Sequence, residues 1–115
     1  MKSMQTPIRV EKIIVATNSS GAAAKQSGNT INGQILKVSY DKGTVDATTT
    51  AVLTNYTALT TGTVLETIDS YNVNTGSAYR DISLTTPLYV IDDYLLVTVS
   101  GGALSKTFTV YVYYR

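Results

Sequence analysis

The segment from residue 94 to residue 114 shows the clearest alternation of hydrophobic and polar positions in the chain. The run YLLVTVS is followed by the glycine-containing stretch GGAL and then by SKTFTVYVYY. A period of two over each run predicts two β-strands joined as a hairpin. In the predicted register, Val97 lies opposite Phe108 on an apolar face, and Thr98 lies opposite Thr107 on the other face.

Shorter alternating runs precede this segment. They predict strands over residues 8–17, 31–40, 48–55, 63–70, 81–85 and 88–91. In the second of these strands the pattern places Leu36, Val38 and Tyr40 on one face, and Gly33 predicts a kink or a close approach of another backbone.

The segments between the runs are rich in small and polar residues. We predict loops over residues 18–30 and 71–80, turns at 41–47 and at Asp92-Asp93, and no helix. The first strand breaks its alternation at Lys12–Ile13, which predicts a bulge or an edge position.

Seven or eight short strands at intervals of roughly ten residues are typical of an antiparallel β-sandwich, jelly-roll or immunoglobulin-like, with a barrel as the alternative. We predict an extended N-terminal arm over residues 1–7 and one β-sandwich domain over residues 8–115.

Composition narrows the functions that this fold could carry. The chain of 115 residues has a formal net charge of +1, and its nine basic residues are scattered. Nucleic-acid binding relies on clustered Lys and Arg, so we predict no nucleic-acid partner, and no basic patch indicates a membrane. There is no histidine or cysteine, which excludes imidazole and thiolate chemistry. No signal peptide is apparent, which predicts synthesis in the cytosol.

Carboxylates are the remaining candidates for catalysis or metal binding. Glu11 and Glu66 both lie in predicted strands, where paired acids of a glycosidase could stand, but solvent-facing positions on amphipathic strands explain them better. The groups nearest to a calcium loop are Asp41 with Asp46, and Asp69 with Asn72 and Asn74; turn positions explain them better. We therefore predict no enzyme activity, no cofactor and no metal.

Tyrosines are the best candidates for binding. Tyr56, Tyr71 and Tyr79 lie in predicted loops, where an aromatic ring can stack on a sugar or anchor a partner protein. Tyr111 and Tyr113 share an uncharged strand face with threonines, which favours a subunit contact. The candidate interface residues are Ile8, Val10, Tyr71, Tyr79, Tyr111 and Tyr113.

The strands INGQILKVSY, TTTAVLT and VLETI and the closing LLVTVSGGALSKTFTVYVYYR resemble a group of small β-proteins of tailed phages and related viruses, several of which are capsid decoration or cement proteins. The resemblance covers about residues 31–114. The aromatic-Pro-Arg segment that such proteins often carry corresponds here to Ala78-Tyr79-Arg80-Asp81, without the proline.

This resemblance implies a structural role in a virion or other assembly and no active site. We expect the protein to pack against a major capsid or other lattice protein and against copies of itself, as a dimer or trimer, since closed homo-oligomers are the commonest assemblies. We expect the arm at 1–12 and the loops at 18–30 and 71–80 to make these contacts. Two alternatives stay open: a carbohydrate- or receptor-binding module that uses the loop tyrosines, and a filament subunit joined by strand exchange.

Overall fold

The computed structural model describes residues 7–57, 63–82 and 88–115. The predicted arm at 1–7 lies outside the described residues except for Pro7. Of the predicted strand at 81–85, the described residues include Asp81 and Ile82.

Eight β-strands make up most of the described chain, and all their pairings are antiparallel, which confirms the predicted all-β fold. The strands are β1 (Arg9–Ala16), β2 (Ala23–Gln26), β3 (Ile31–Asp41), β4 (Thr50–Thr57), β5 (Thr63–Asn72), β6 (Ala78–Asp81), β7 (Leu88–Val99) and β8 (Thr107–Tyr114). A single 3₁₀ turn at Val73–Thr75 is the helical element described. No helix in the described part of the chain is long and apolar enough to cross a membrane.

The strand pairing is that of a jelly roll. Hydrogen bonds join β1 to β8, β2 to β7, β3 to β6 and β4 to β5, as they would in one long hairpin rolled up on itself. Further pairing of β8 with β3 and of β7 with β4 produces two four-stranded sheets. Sheet A has the order β1-β8-β3-β6, and sheet B has the order β2-β7-β4-β5. This confirms the jelly-roll form of the predicted sandwich and not the immunoglobulin-like form.

The two sheets share one seam, because the first half of β7 pairs with the start of β3. Over the described residues the resulting strand order still ends at β1 on one side and at β5 on the other, so no closed barrel forms. Each sheet turns one face toward a single core. Fully buried core side chains include Ile13 and Val15 of β1, Leu53 of β4, Leu95 and Val97 of β7, and Phe108, Val110 and Val112 of β8.

The predicted C-terminal hairpin is wrong. β7 lies in sheet B between β2 and β4, whereas β8 lies in sheet A between β1 and β3. The connection at 100–106 therefore crosses from one sheet to the other. Alternation correctly identified the buried faces of both strands, but two faces that meet across the core show the same pattern as two strands that pair side by side.

The predicted turn at Asp92-Asp93 is also wrong, since β7 runs through both residues. Ile31 is paired with Asp93 and Asn32 with Ile91, so Asp92 is an extra residue opposite the β3 register shift. Its φ of 52° is left-handed, and its amide donates a hydrogen bond to the side-chain oxygen of Asn32 at 2.8 Å. This bulge lies where β7 leaves β3 and begins to pair with β4.

A second bulge changes the predicted faces of β3. The register against β8 shifts between Ile35 and Lys37, so Ile35, Val38 and Tyr40 are buried while Leu36 is only half-buried. The close approach predicted at Gly33 is confirmed, because a Cβ there would lie 2.7 Å from the Arg115 carbonyl oxygen.

Two predicted loops contain short strands. Residues 18–30 include β2, and residues 71–80 include the 3₁₀ turn and most of β6. Both strands are four residues long and depend on pairing with β7 and β3, which local sequence does not reveal. β1 is an edge strand, as predicted, and its register against β8 is unbroken; the interruption of its pattern is the exposed side chain of Ile14.

Candidate binding surface

The outer face of sheet A, away from the core, brings three candidate tyrosines together. Ser39 of β3 lies directly opposite Tyr79 of β6 on one side and Tyr111 of β8 on the other. Tyr113 follows two positions later on the same face of β8. A small residue between two aromatic ones leaves a groove with tyrosine walls and Ser39 at its floor.

This groove has a volume of about 420 Å³. Six of its lining residues are Ser39, Asp41, Ser77, Tyr79, Tyr111 and Tyr113. The Tyr79 side chain is highly exposed, at 71%, whereas Ser39 is buried between its neighbours.

The turn after β3 fixes the polar groups at one end of the groove. The Gly43 amide donates to a carboxylate oxygen of Asp41 at 3.1 Å. The Lys42 amide donates to the Ser77 hydroxyl oxygen at 3.0 Å. These bonds fix the positions of the Asp41 carboxylate and the Ser77 hydroxyl at the groove.

An apolar strip runs along the outer side of β1, next to the tyrosines. It consists of Ile8, Val10 and Ile14, which are 56%, 49% and 51% exposed, and the exposed Lys12 lies between Val10 and Ile14 on the same face. Val10 is paired with Tyr113, so the strip adjoins the tyrosine face of β8. An apolar hollow of about 200 Å³ joins the two regions and is lined by Ile8, Leu36, Lys37, Tyr79 and Tyr113.

Two lysines lie against the tyrosine rings. The Lys37 ammonium lies 5.3 Å from the centre of the Tyr79 ring and 3.9 Å from a carboxylate oxygen of Asp81. The Lys12 ammonium lies 6.0 Å from the centre of the Tyr111 ring. Both contacts are at the surface, where cation–π pairs contribute modestly to stability and mainly orient the rings.

Tyr71 does not belong to this face, although it is a candidate interface residue. Its ring stacks on that of Tyr40 with the centres 4.8 Å apart, and its hydroxyl donates to the Gly76 carbonyl at 2.8 Å. The Arg80 guanidinium lies 5.2 Å from the Tyr71 ring. Tyr71 therefore acts as a half-buried packing residue between β5, β3 and β6.

A polar network continues from this stack. The Tyr40 hydroxyl donates to Asp69 at 2.9 Å, and Arg80 donates to both Asp69 carboxylate oxygens, at 2.7 and 3.1 Å. Burial, with the Asp69 carboxylate beside it, raises the pKa of Tyr40 far above its ordinary value. The hydrogen bond to Asp69 raises the pKa of Arg80. The network links β5 of sheet B to β3 and β6 of sheet A. Its role is therefore structural.

The three tyrosines of the predicted loop cluster do not share one surface. Tyr56 lies in β4 of sheet B, Tyr71 is enclosed, and Tyr79 faces outward from sheet A. Tyr79 is instead grouped with Tyr111 and Tyr113. Which aromatic rings meet is determined by the pairing of strands that are distant in sequence, and the prediction of loops does not reveal that pairing.

The candidate carboxylates are dispersed. Glu11 was predicted to face solvent, but its side chain points inward and only 8% of the residue is exposed; Asn29 donates to it at 3.4 Å. Glu66 is exposed, as predicted. Asp46 forms an ion pair with Lys106 at 3.2 Å, and Asp69 lies in β5 rather than in a turn. No group of three metal-ligating side chains occurs within residues 7–57, 63–82 and 88–115.

Sequence reasoning missed Ser39 and Ile14 as surface residues of interest and considered Asp41 only as a calcium ligand. The period of two does place Ser39 and Asp41 on one face of β3. Their position between Tyr79 and Tyr111 follows only from the pairing of β3 with β6 and β8.

No protein-family model matches the chain, and no curated protein matches its sequence. The resemblance to phage structural proteins therefore stays a prediction.

Proposed function

We propose that the protein is a structural subunit of a virus particle, a capsid decoration or cement protein that acts by packing against other protein subunits. The observation that carries this proposal is the strip of exposed apolar side chains, Ile8, Val10 and Ile14, that runs into and along the edge strand β1 and is interrupted by one charge, that of Lys12. Edge strands with exposed apolar side chains favour association, and monomeric proteins usually protect them with charge.

The fold supports the same proposal at a coarser level. Jelly rolls occur in viral capsid proteins, and also in lectin domains and cupins, so the architecture is compatible with the proposal but does not select it. The strip is the more specific argument because it supports one particular sheet edge as the contact.

Mass spectrometry of purified particles tests the virion role. Particles produced from a genome that encodes this chain are purified by density gradient, and the protein should be a constituent in fixed ratio to the major capsid protein. Immunogold labelling of intact particles should place it on their surface. Absence from the particles would contradict the proposal.

The contact itself is tested by a charge in the strip. We expect Val10→Asp to abolish incorporation into particles, because a carboxylate in the interface would have to be buried without a partner. The matched control is Leu104→Asp, at a similarly exposed apolar side chain in the connection between β7 and β8. Both variants should retain the circular dichroism spectrum of the wild type. Equal incorporation of the two variants would show that the strip is not the contact.

A homo-oligomer is the form of packing that we expect, since closed symmetric assemblies are the commonest. Light scattering over a concentration series should show a dimer or trimer for the wild type and a monomer for Val10→Asp. A monomeric wild type would contradict self-association. Binding to a lattice protein would then be the proposed form of packing, and the particle experiment measures it separately.

A further inference from the structure

The groove between β6, β3 and β8 has the chemistry of a ligand site rather than of a packing surface. Its volume of about 420 Å³ lies in the range of ~300–1,000 Å³ that is usual for small-molecule pockets. It combines tyrosine walls with hydroxyl and carboxylate oxygens at its floor and end. A ligand with many hydroxyl groups supplies donors to these oxygens while its apolar faces lie against the tyrosines.

Tyr79 and Tyr111 set the width of the groove. Each is directly opposite Ser39, so their Cα atoms are two strand spacings apart, which is roughly 10 Å. A flat ring held between two aromatic faces needs a van der Waals contact of ~3.5–4.0 Å on each side. Two such contacts together span about 7–8 Å, which is less than the separation of the strands that carry the two tyrosines.

The polar groups complement such a ring. Tyrosine faces attract the polarised C–H groups of a sugar, and the tyrosine hydroxyls remain at the water-facing edge. The Asp41 carboxylate accepts hydrogen bonds only, so it suits sugar hydroxyls as donors. Ser39 forms no side-chain hydrogen bond within the described residues, and Ser77 accepts one from Lys42 while keeping its own proton to donate.

We infer that this groove is a binding site for a neutral saccharide. A neutral ligand is favoured because an acidic sugar would meet the Asp41 carboxylate, while the Lys37 and Lys12 ammonium groups lie against the Tyr79 and Tyr111 rings and Lys37 also contacts Asp81. Proline-rich peptides also use aromatic grooves, but they seek apolar slots, and the floor here is polar. The site does not depend on the proposed assembly role, which uses the strip on β1.

Nuclear magnetic resonance titration of the full ¹⁵N-labelled chain tests the site. The probes are oligosaccharides of glucose, of mannose and of N-acetylglucosamine, with sialylated oligosaccharides and a proline-rich peptide alongside. We expect at least one neutral oligosaccharide to give saturable shifts centred on the amides of Ser39, Tyr79 and Tyr111. No saturable shift from any neutral probe up to about 10 mM, the limit of weak binding, would overturn the proposal. Shifts elsewhere in the chain, or saturable binding of the peptide alone, would also overturn it.

Matched variants decide whether the tyrosine wall contributes. We expect Tyr79→Ala to weaken binding of the best neutral probe about tenfold or more, because one stacking face is lost. The control is Tyr89→Ala, at another exposed tyrosine that lies on β7 outside the groove. Its affinity should equal that of the wild type. Tyr79 is so exposed that its removal should not disturb folding, and unchanged affinity in Tyr79→Ala would overturn the inference.

Discussion

At the scale of single residues, the largest pKa shift among the described residues belongs to Tyr40, which forms a network with Asp69 and Arg80. The Tyr40 ring is almost fully buried, and its hydroxyl reaches a carboxylate that Arg80 already binds. A buried hydroxyl that donates to a charged acceptor contributes more than a neutral pair does. Because the three residues come from β3, β5 and β6, this network stabilises the packing of one sheet on the other.

We expect Tyr40→Phe to lower the free energy of unfolding by about 1–2 kcal/mol near pH 8, where the hydrogen bond to Asp69 is intact. The raised pKa of Tyr40 in the folded state gives this contribution a defined pH dependence. The contribution is complete below the ordinary tyrosine pKa of about 10 and is lost as the pH rises above it, because the unfolded chain then ionises while the folded chain keeps the proton.

The difference between wild type and Tyr40→Phe should therefore narrow at about pH 11. Urea unfolding at the two pH values measures it. Tyr89→Phe, at an exposed hydroxyl, should match the wild type near pH 8. A deficit for Tyr40→Phe that stayed the same at both pH values would rule out this linkage.

At the scale of elements, the connections between strands determine the jelly roll as much as the strands do. The connection from β1 to β2 meets the connection from β7 to β8, where the Gly102 amide donates to the Gly21 carbonyl at 2.8 Å. The buried Thr17 hydroxyl donates to the Ala103 carbonyl at 2.6 Å, which holds the second connection against the end of β1. These contacts explain how seven residues at 100–106 can carry the chain from one sheet to the other.

We expect Gly21→Ala to be much more destabilising than Gly101→Ala. Both glycines have left-handed φ angles, of 76° and 63°, so each substitution incurs a backbone strain of roughly 1–2 kcal/mol. A Cβ at Gly21 would in addition clash with the Gly102 backbone, whereas nothing lies within 4 Å of one at Gly101.

The difference between the two variants should reach about 2 kcal/mol or more in the free energy of unfolding in water, extrapolated from urea unfolding, as expected for a backbone clash with no room to relax. Equal stabilities would show that the two connections do not meet as described.

At the scale of the whole molecule, one residue pair distinguishes the jelly roll from the simple hairpin. In the jelly roll Thr98 of β7 lies opposite Val52 of β4, whereas the predicted hairpin would place it opposite Thr107. The chain contains no cysteine, so introduced cysteines have no competing partners. Directly opposed residues of antiparallel strands have Cα atoms about 4.5–5.5 Å apart, which suits a disulfide.

We expect the double variant Val52→Cys/Thr98→Cys to form an intramolecular disulfide on mild oxidation. The control pair Thr98→Cys/Thr107→Cys should stay reduced, because β7 and β8 belong to different sheets. Mass spectrometry after alkylation of free thiols distinguishes the outcomes. Disulfide formation in the control pair and not in the first pair would contradict the jelly roll and support the predicted hairpin.

Local sequence was sufficient to predict the features that depend on the alternation of side chains along a strand. The alternation identified the longer strands apart from the break in β7, the buried faces of β7 and β8, and the edge position of β1, and a glycine within a strand indicated the close approach at Gly33. It also placed Tyr111 and Tyr113 on the outer face of β8. These properties follow from the pleat, which turns successive side chains to opposite faces whatever the partner strand is.

Tertiary structure alone determined which strands pair and which side chains meet across them. The assignment of β7 and β8 to opposite sheets, the bulges at Asp92 and Leu36, and the short strands β2 and β6 all depend on partners distant in sequence. The same pairing encloses Tyr71 against Tyr40 and places Ser39 between Tyr79 and Tyr111. Hydrogen bonds between strands involve backbone groups that every residue carries, so the choice of partner leaves little trace in local sequence.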